Sequence, residues 1–379
     1  MIPDFIDLDQ NATTPLDPSV LEAMRPHWLA GGNPESRHAA GRRARRALIG
    51  ATEVVARILN ARPDEVVFTS GGTEANNLAI LGLAGAPGRV VATAMEHPAV
   101  AEPLNRLAAR GWDVRRVPVG ADGVADASIM ANMFDEPTTL STLILAHNET
   151  GAIQPVGELS ASANLRGIPV HTDAVQAVGR IPVDFHGLGV ATLAASAHKF
   201  HGPAGVGLLL IKKGVRLIPH TVGGGQQGGI RPGTVPVALC VGLASALENW
   251  ARDSDSRIAR WVHLRGRLEA GIVGALGRDR VVRHGPTDDA HRLPQTLHLG
   301  FPGLDGDALL IRLDLAGVAA SMGSACASGS GQPSPTLVAM AAPADTLRSS
   351  VRFSLGANTT EADVDETIRR IAQIAQIAH

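Results

Sequence analysis

The chain has 379 residues, 45% of them hydrophobic and 18% charged, the balance of a globular protein with room for one or two cores. Its 34 Lys and Arg against 36 Asp and Glu leave a formal charge of -2, so no bulk field favours nucleic acid or an anionic membrane. No apolar run approaches the roughly 18 residues that span a bilayer. The first residues, MIPDFIDLDQ, are acidic where a secretory leader is basic, and the two cysteines, Cys240 and Cys326, are too few for a disulfide scaffold. A cytoplasmic protein with reduced thiols is expected.

From about residue 16 to 250, short apolar runs alternate with helical patterns, which predicts an α/β domain with a largely parallel sheet. Asp17 before Pro18 reads as an N-cap with proline at the first helical position. Ala47, Leu48, Ala51, Val55, Ile58 and Leu59 keep one apolar helical face. Seven strands of one sheet are predicted at 65–69, 89–93, 113–117, 140–146, 169–172, 191–196 and 206–211. After residue 250 come a helical segment near 254–276, strands near 295–300 and 350–355, and a final helix from Thr360. Thr360 and Asp363 form a capping-box pattern, and Val364, Ile368, Ile371 and Ala375 supply its apolar stripe. Residues 16–250 are therefore read as a large domain, with 1–15 and 251–379 forming a smaller α+β domain. Within the latter, SMGSACASGSGQPSP, residues 321–335, reads as a long mobile loop.

Three places carry chemistry. The strand ending VVFTS runs into GGTEANNLAI, where Gly71, Gly72 and Thr73 open a helix. That is either a phosphate cradle or an ordinary tight turn. In ASAHKFHGP, Lys199 stands at a strand end beside Ser196 and His198, placed either to bond a carbonyl cofactor or to reach solvent. Asp173, in PVHTDAVQAVG, ends another strand; it suits a partner for a pyridine nitrogen, whose protonated form a carboxylate favours, and equally a helix cap. A cradle, an aspartate and a strand-end lysine in that order point together to pyridoxal phosphate. GGGQQG at 223–228 matches a dinucleotide fingerprint, with Glu248 at the usual distance, but Pro232 and Gly233 break any helix after it.

In chain order the sequence reads LDQNATTPLDP, GNPESRHAAGR, SGGTEANNLAI, MEHPAV, HNETGAIQP, HTDAVQAVGR, SAHKFHGPAGVG, GGGQQGGIRPGT, SMGSACASG and SVRFSLGANTT. Together these resemble the NifS/IscS-like cysteine desulfurases, pyridoxal-phosphate enzymes of the class V aminotransferase group, over nearly the whole chain. The resemblance implies a fold-type I architecture and the conversion of L-cysteine to L-alanine, with sulfur passed to an enzyme cysteine as a persulfide. It implies that Lys199 bonds the cofactor and moves the substrate's α-proton, that His97 stacks over the ring, that Asp173 pairs with its nitrogen and that Gln176 bonds its phenolic oxygen. Gly72, Thr73, Ser196 and His198 would hold the phosphate, joined by Thr234 from the other subunit of a homodimer. Asn148 and Arg352 would clamp the substrate carboxylate with Asn33 nearby, and Cys326 would take the sulfur.

A protein sulfur acceptor, such as an iron-sulfur scaffold or sulfur carrier, is implied as partner, and neither a metal, a membrane nor direct nucleic-acid binding is. A selenocysteine lyase or another lyase of the same fold is the alternative. Read without the family, His97 is a polar residue at a helix N-terminus in HPAV, and Arg352, which alternates with Val351 and Phe353, faces away from their side of the strand as a merely solvated arginine also would. Cys240, in VPVALCVGLASAL, belongs to the core. Gly228 and Ala357 stand where the family usually carries arginine.

Overall fold

In the computed structural model, residues 5–134, 138–323 and 333–377 are described. After a two-residue strand, β1 (Ile6–Asp7), the chain lays down β2 (Val66–Thr69), β3 (Arg89–Thr93), β4 (Asp113–Val117), β5 (Thr138–Thr142), β6 (Val170–Asp173), β7 (Thr192–Ser196) and β8 (Gly207–Ile211). These seven form one sheet in the order β2-β8-β7-β6-β5-β3-β4. It is parallel except where β8 runs against both its neighbours, β2 and β7. The apolar run 140–146 is only partly strand. β5 ends at Thr142, yet Leu143 and Leu145 still donate to His171 O and Asp173 O, so the run records burial beyond the strand itself.

The helices in chain order are α1 (Pro18–Ala30), α2 (Ala39–Ile58), α3 (Gly72–Leu83), α4 (Pro98–Ala108), α5 (Ala127–Ala131), α6 (Val156–Asn164), α7 (Phe185–Leu188), α8 (Val237–Leu276), α9 (Gly306–Leu315), α10 (Pro335–Ala339) and α11 (Glu361–Ile377). Asp17 caps α1 by accepting from Ser19 N. Strand periodicity sorts the sheet's two faces. Leu208, Leu210, Leu193 and Val91 pack with Val55 of α2, Leu159 of α6 and Leu243 of α8. Their neighbours Leu209, Ala194 and Val90 face α3 and α4, against Ala79, Ile80 and Leu104. Both faces are covered, as a mostly parallel sheet requires.

β9 (Val282–His284), β10 (Thr296–Gly300), β11 (Val318–Ala319) and β12 (Ser350–Ser354) belong to the second core. There the antiparallel sheet β12-β10-β9 puts Leu297, Leu299, Val351 and Phe353 against Trp261, Leu264 and Leu268 of α8 and Val364 and Ile371 of α11. The helical segment expected near 254–276 is the second part of one 40-residue helix, α8, kinked at Asp253 (φ -131°, ψ 18°), whose first half packs in the first core and whose second half packs in the second. The expected box at α11 is present: Thr360 N and Oγ1 donate to Asp363 Oδ2, and Asp363 N donates back to Thr360 Oγ1. The other face of the small sheet carries His284, His298 and Arg352 in register, aimed away from the second core. No helix among the described residues is long and apolar enough to cross a membrane.

Candidate active site

Lys199 follows β7 in a single 3-10 turn, Ala197–Lys199. Its Nζ donates to Asn11 O and Ala12 O, both at 2.8 Å, so the N-terminal segment LDQNATT lies across the strand end. Arg180, fully buried, clamps the same crossing by donating to Lys199 O and Gln10 O. Burial lowers the Lys199 amine to about 8, helped by the positive Arg352 and Arg180 and opposed by Asp173 and Asp9. An amine so placed is partly neutral near physiological pH, which a nucleophile or base requires.

Asp173, at the end of β6, is adjacent. Its Oδ1 accepts from Val175 N (2.9 Å) and its Oδ2 from Asn76 Nδ2 (2.7 Å). The first bond closes a turn after β6 at which no helix begins, so Asp173 is not the helix cap that was one of its two readings. The second bond orients everything behind it. With Asn76 Nδ2 donating, its Oδ1 must accept, and His171 Nε2 lies 2.9 Å away. Burial drives His171 to about 3, leaving it neutral with Nδ1 free to accept from the Thr192 hydroxyl at 2.9 Å.

His97 caps α4, its Nδ1 accepting from Ala99 N (3.1 Å). Burial lowers its pKa against the pull of Asp173, and Lys199 pushes the same way as burial. Next to it, Glu96 is buried with Oε1 held by Thr93 Oγ1 and Ile144 N. Burial, with the nearby Asp173 charge, raises its carboxyl to about 7.

The glycine turn closes the large-domain side. A Cβ on Gly72 would stand 2.6 Å from Val175 Cγ2, and one on Gly71 would stand 3.7 Å from Ser196 Oγ, so the turn packs directly on the β6 and β7 ends. Gln176 Nε2 donates to Asn11 O, while its buried Oε1 has no partner among the described residues. These residues fit pyridoxal phosphate: a lysine amine near neutrality, an ionisable carboxylate held by two donors, a bare glycine turn at a helix start and an unpartnered amide oxygen.

On the three-stranded sheet, Arg352 of β12 is buried. Its Nη2 donates to Asp9 Oδ1 (2.5 Å), its Nη1 to Asn148 O (3.0 Å) and Gly323 O (3.2 Å), and its Nε has no partner among the described residues. Period-2 alternation turned Arg352 away from Val351 and Phe353, but the face it occupies is buried and not in solvent. The Nε proton is left as a donor for a carboxylate.

Not every expected residue joins the cluster. Asn33 and Thr234 are exposed, and no hydrogen bond links either to it among the described residues; Asn33 Oδ1 instead accepts from Glu35 N. Thr73 is exposed on the first turn of α3. His198 is half-buried with Nδ1 3.0 Å from Thr13 Oγ1, and burial lowers its ring to about 4. Cys326 lies in 324–332, outside the described residues. Cys240 is fully buried on α8, where burial pushes its thiol up to about 12. GGGQQG opens no helix. Gln226–Gly229 is a 3-10 turn, and Gln227 uses its side-chain amide as a strand substitute, accepting from Phe68 N and donating to Phe68 O on the edge strand β2.

Asp9, Asn76 and Arg180 were not singled out from sequence, and Asn11 was not read as a site residue. Asn11 alone touches Asn148 O, Thr296 Oγ1 and Arg180. The motif LDQNATTP marked its segment, but no periodicity or charge distinguishes the residue itself.

Residues 6–367 match the family model described as aminotransferase class-V. The chain is 41% identical over 371 residues to an IscS-like cysteine desulfurase of Mycobacterium tuberculosis, covering 95% of this chain and 94% of that protein. It is 40% identical to the cysteine desulfurase IscS of Dictyoglomus turgidum, covering 97% and 94%. Among solved structures, a NifS-like protein superposes with a TM-score of 0.92 at 33% identity, covering 98% of this chain and 100% of that one.

Proposed function

This chain belongs to the aminotransferase class-V family, and we infer that within it the protein is a pyridoxal-phosphate-dependent cysteine desulfurase, converting L-cysteine to L-alanine and taking up the sulfur as an enzyme persulfide. The observation that carries the reading is the meeting of Lys199, with its lowered amine, Asp173 and Arg352 at one domain junction.

Bound there, pyridoxal phosphate supplies a carbonyl carbon for amines and a ring that accepts electrons. Lys199 would hold it through Nζ, with Asp173 at the ring nitrogen, Gln176 at the phenolic oxygen and His97 over the ring face. Gly72, Thr73, Ser196 and His198 would hold the phosphate. Arg352, through its unpartnered Nε, and Asn148 would grip the carboxylate of cysteine and so fix the α-carbon above Lys199. Released from the cofactor, Lys199 would take the α-proton and later help return it. The thiolate of Cys326 would attack the substrate sulfur; the substrate's carbon–sulfur bond breaks, a sulfur–sulfur bond forms on Cys326, and protonation of the carbon skeleton yields alanine. The exposed Thr234, unattached to the cluster of its own chain, suits a residue contributed to a partner's phosphate site in a homodimer. A protein acceptor such as an iron-sulfur scaffold or sulfur carrier, met in the cytoplasm, would discharge the persulfide.

The test is Cys326→Ser. The variant is expected to retain the pyridoxal-phosphate chromophore and its change on adding cysteine, because neither step needs the thiol. Alanine production should fall to background, since a hydroxyl is far less ionised than a thiol of pKa about 8.5. Mass spectrometry of the unmodified enzyme after cysteine should find the added sulfur on Cys326. Its discovery on Cys240, or alanine formed by Cys326→Ser at the normal rate, would refute the assignment.

A further inference from the structure

The turn at 147–151, which closes with Gly151 N donating to His147 O, satisfies its polar side chains in a directed sequence. His147 is buried and driven to about 3 by burial and then by His97 and Arg352, so its ring is neutral. Nδ1 accepts from Glu149 N (3.2 Å) and Thr150 N (3.4 Å), which leaves the proton on Nε2, 3.3 Å from Thr336 Oγ1. The Thr336 hydroxyl proton is then free for Glu149 Oε1 (3.2 Å), while Ser334 Oγ donates to Glu149 Oε2 (2.6 Å). Ser334 caps α10 and Thr336 lies in its first turn. One buried carboxyl thus gathers the residues that follow 324–332.

The same carboxyl meets the residue that precedes that segment. Gly323 has φ +103°, and a Cβ there would stand 2.5 Å from Glu149 Oε2, so the site needs glycine on both conformational and steric grounds. Gly323 O also accepts from Arg352 Nη1, the atom that holds Asn148 O in the turn. The backbones of Ser321 and Arg352 exchange two hydrogen bonds beside it. Burial raises the Glu149 carboxyl, opposed by Ser334, Arg352 and Thr336. A carboxyl kept in so costly a place needs partners that reward it; here they are the Ser334 and Thr336 hydroxyls of the following flank, while Gly323 of the preceding flank packs closely against the same carboxyl.

We propose that Glu149 is a positioning residue for sulfur transfer: it fixes the separation of Gly323 and Ser334, the flanks of the segment that contains Cys326, and through Gly323 and Asn148 ties them to the arginine that grips the substrate carboxylate. The inference rests on the reading of Cys326 as sulfur acceptor. Among the described residues the Glu149 carboxylate bonds Ser334 and Thr336 and none of the residues proposed to hold the cofactor, so its loss should leave cysteine binding intact and slow the step that needs Cys326.

The experiment uses the full-length holoenzyme and four variants, Glu149→Ala, Glu149→Gln, the pair Ser334→Ala with Thr336→Val, and Cys326→Ser. Three quantities are read: the cysteine concentration that half-saturates the change in cofactor absorbance, the single-turnover rate of alanine formation, and the rate at which iodoacetamide alkylates Cys326. Glu149→Ala should leave half-saturation within about twofold, slow alanine formation by about tenfold to a hundredfold as displaced reacting groups do, and change the alkylation rate. Glu149→Gln should recover most of the rate, because an amide still accepts from one hydroxyl and donates to another. The Ser334 and Thr336 pair, which keeps Glu149 in place, should reproduce the slowing and guards against a Glu149→Ala variant that does not fold. Normal alanine rates in the Glu149 variants and in the pair, with Cys326→Ser inactive, would overturn the inference while leaving the role of Cys326 standing. A fully active Cys326→Ser would overturn the role of Cys326 itself.

Discussion

Where the cofactor is proposed to sit, Asp173, Ser196 and Lys199 arrive on the ends of neighbouring parallel strands, β6 and β7, whose register the sheet sets. Where the substrate carboxylate is proposed to bind, Arg352 meets Asn148 and Asp9 across 204 and 343 residues of chain, through contacts between groups far apart in sequence. The first region inherits its geometry from a hydrogen-bonded ladder with apolar layers on both faces. The second is a set of long-range polar bonds at a junction, each dependent on the others. Damage at the strand ends should therefore strike chemistry and spare the fold, whereas damage at the junction should strike binding and domain docking together.

Lys199→Ala should break the first region most severely. Lys212 and Lys213 lie beyond β8, on the far end of the next strand, and cannot supply the amine. The purified variant should lack any borohydride-reducible attachment of pyridoxal phosphate and make no alanine, while its melting temperature in the cofactor-free form stays near that of the unmodified apoprotein. Arg352→Ala tests the other side of the comparison. It removes the carboxylate grip and leaves Asp9 unpaired, and breaking a buried ion pair from one side costs about 3–5 kcal/mol. Because Asp9 is partly exposed, the lower end is expected, seen jointly as a raised KM for cysteine and a lowered melting temperature. Arg352→Lys should restore part of the stability but little of the binding, since an ammonium is a point charge without the planar fork.

Asp173→Asn should retain the cofactor and lose about 3 kcal/mol of barrier lowering, the scale of one preorganised electrostatic partner. Near-normal alanine production would show that another group holds the ring nitrogen protonated. A gentler probe is pH. Lys199 titrates at about 8 in the folded protein against 10.5 when unperturbed, so uptake of pyridoxal phosphate by the apoprotein should accelerate through a midpoint near pH 8. The sign for stability follows from the same numbers: between pH 8 and 10.5 the unfolded chain binds the extra proton, so this group's contribution to stability increases with pH across that window. A rate of uptake that does not vary between pH 7 and 9 would contradict the lowered amine. The smallest effect is expected outside both regions, at Cys240→Ser. Turnover per folded molecule should not change, and stability should fall by about 1–3 kcal/mol if the new hydroxyl finds no partner in the core.

Much of the first region was legible in the chain because its cause is local. Alternating apolar residues place strands, strands end where polar residues follow, and Lys199 and Asp173 stand at such ends. The seven strands of the large sheet follow from that pattern, with the bounds of β5 displaced because an apolar run reports burial and not pairing. Motifs also carried His97 and Gln176, whose segments read as units. The motif that misled by letter, GGGQQG, became intelligible only through Gln227, whose amide bonds to the edge of β2.

By itself, then, the sequence determined the α/β architecture, the positions of the strand ends, the amine and carboxylate standing there and the class of chemistry they serve, because each depends on neighbours within a few residues or on the period of a strand or helix. Only the tertiary structure decided that Arg352 is buried, that Asn11 and Arg180 lock the N-terminal segment over Lys199, that Asn76 and His171 orient Asp173, and that Glu149 lies against Gly323 while accepting from Ser334. Those outcomes depend on which distant groups meet, and a buried polar side chain acquires its meaning from the partner that satisfies it, which no local pattern records.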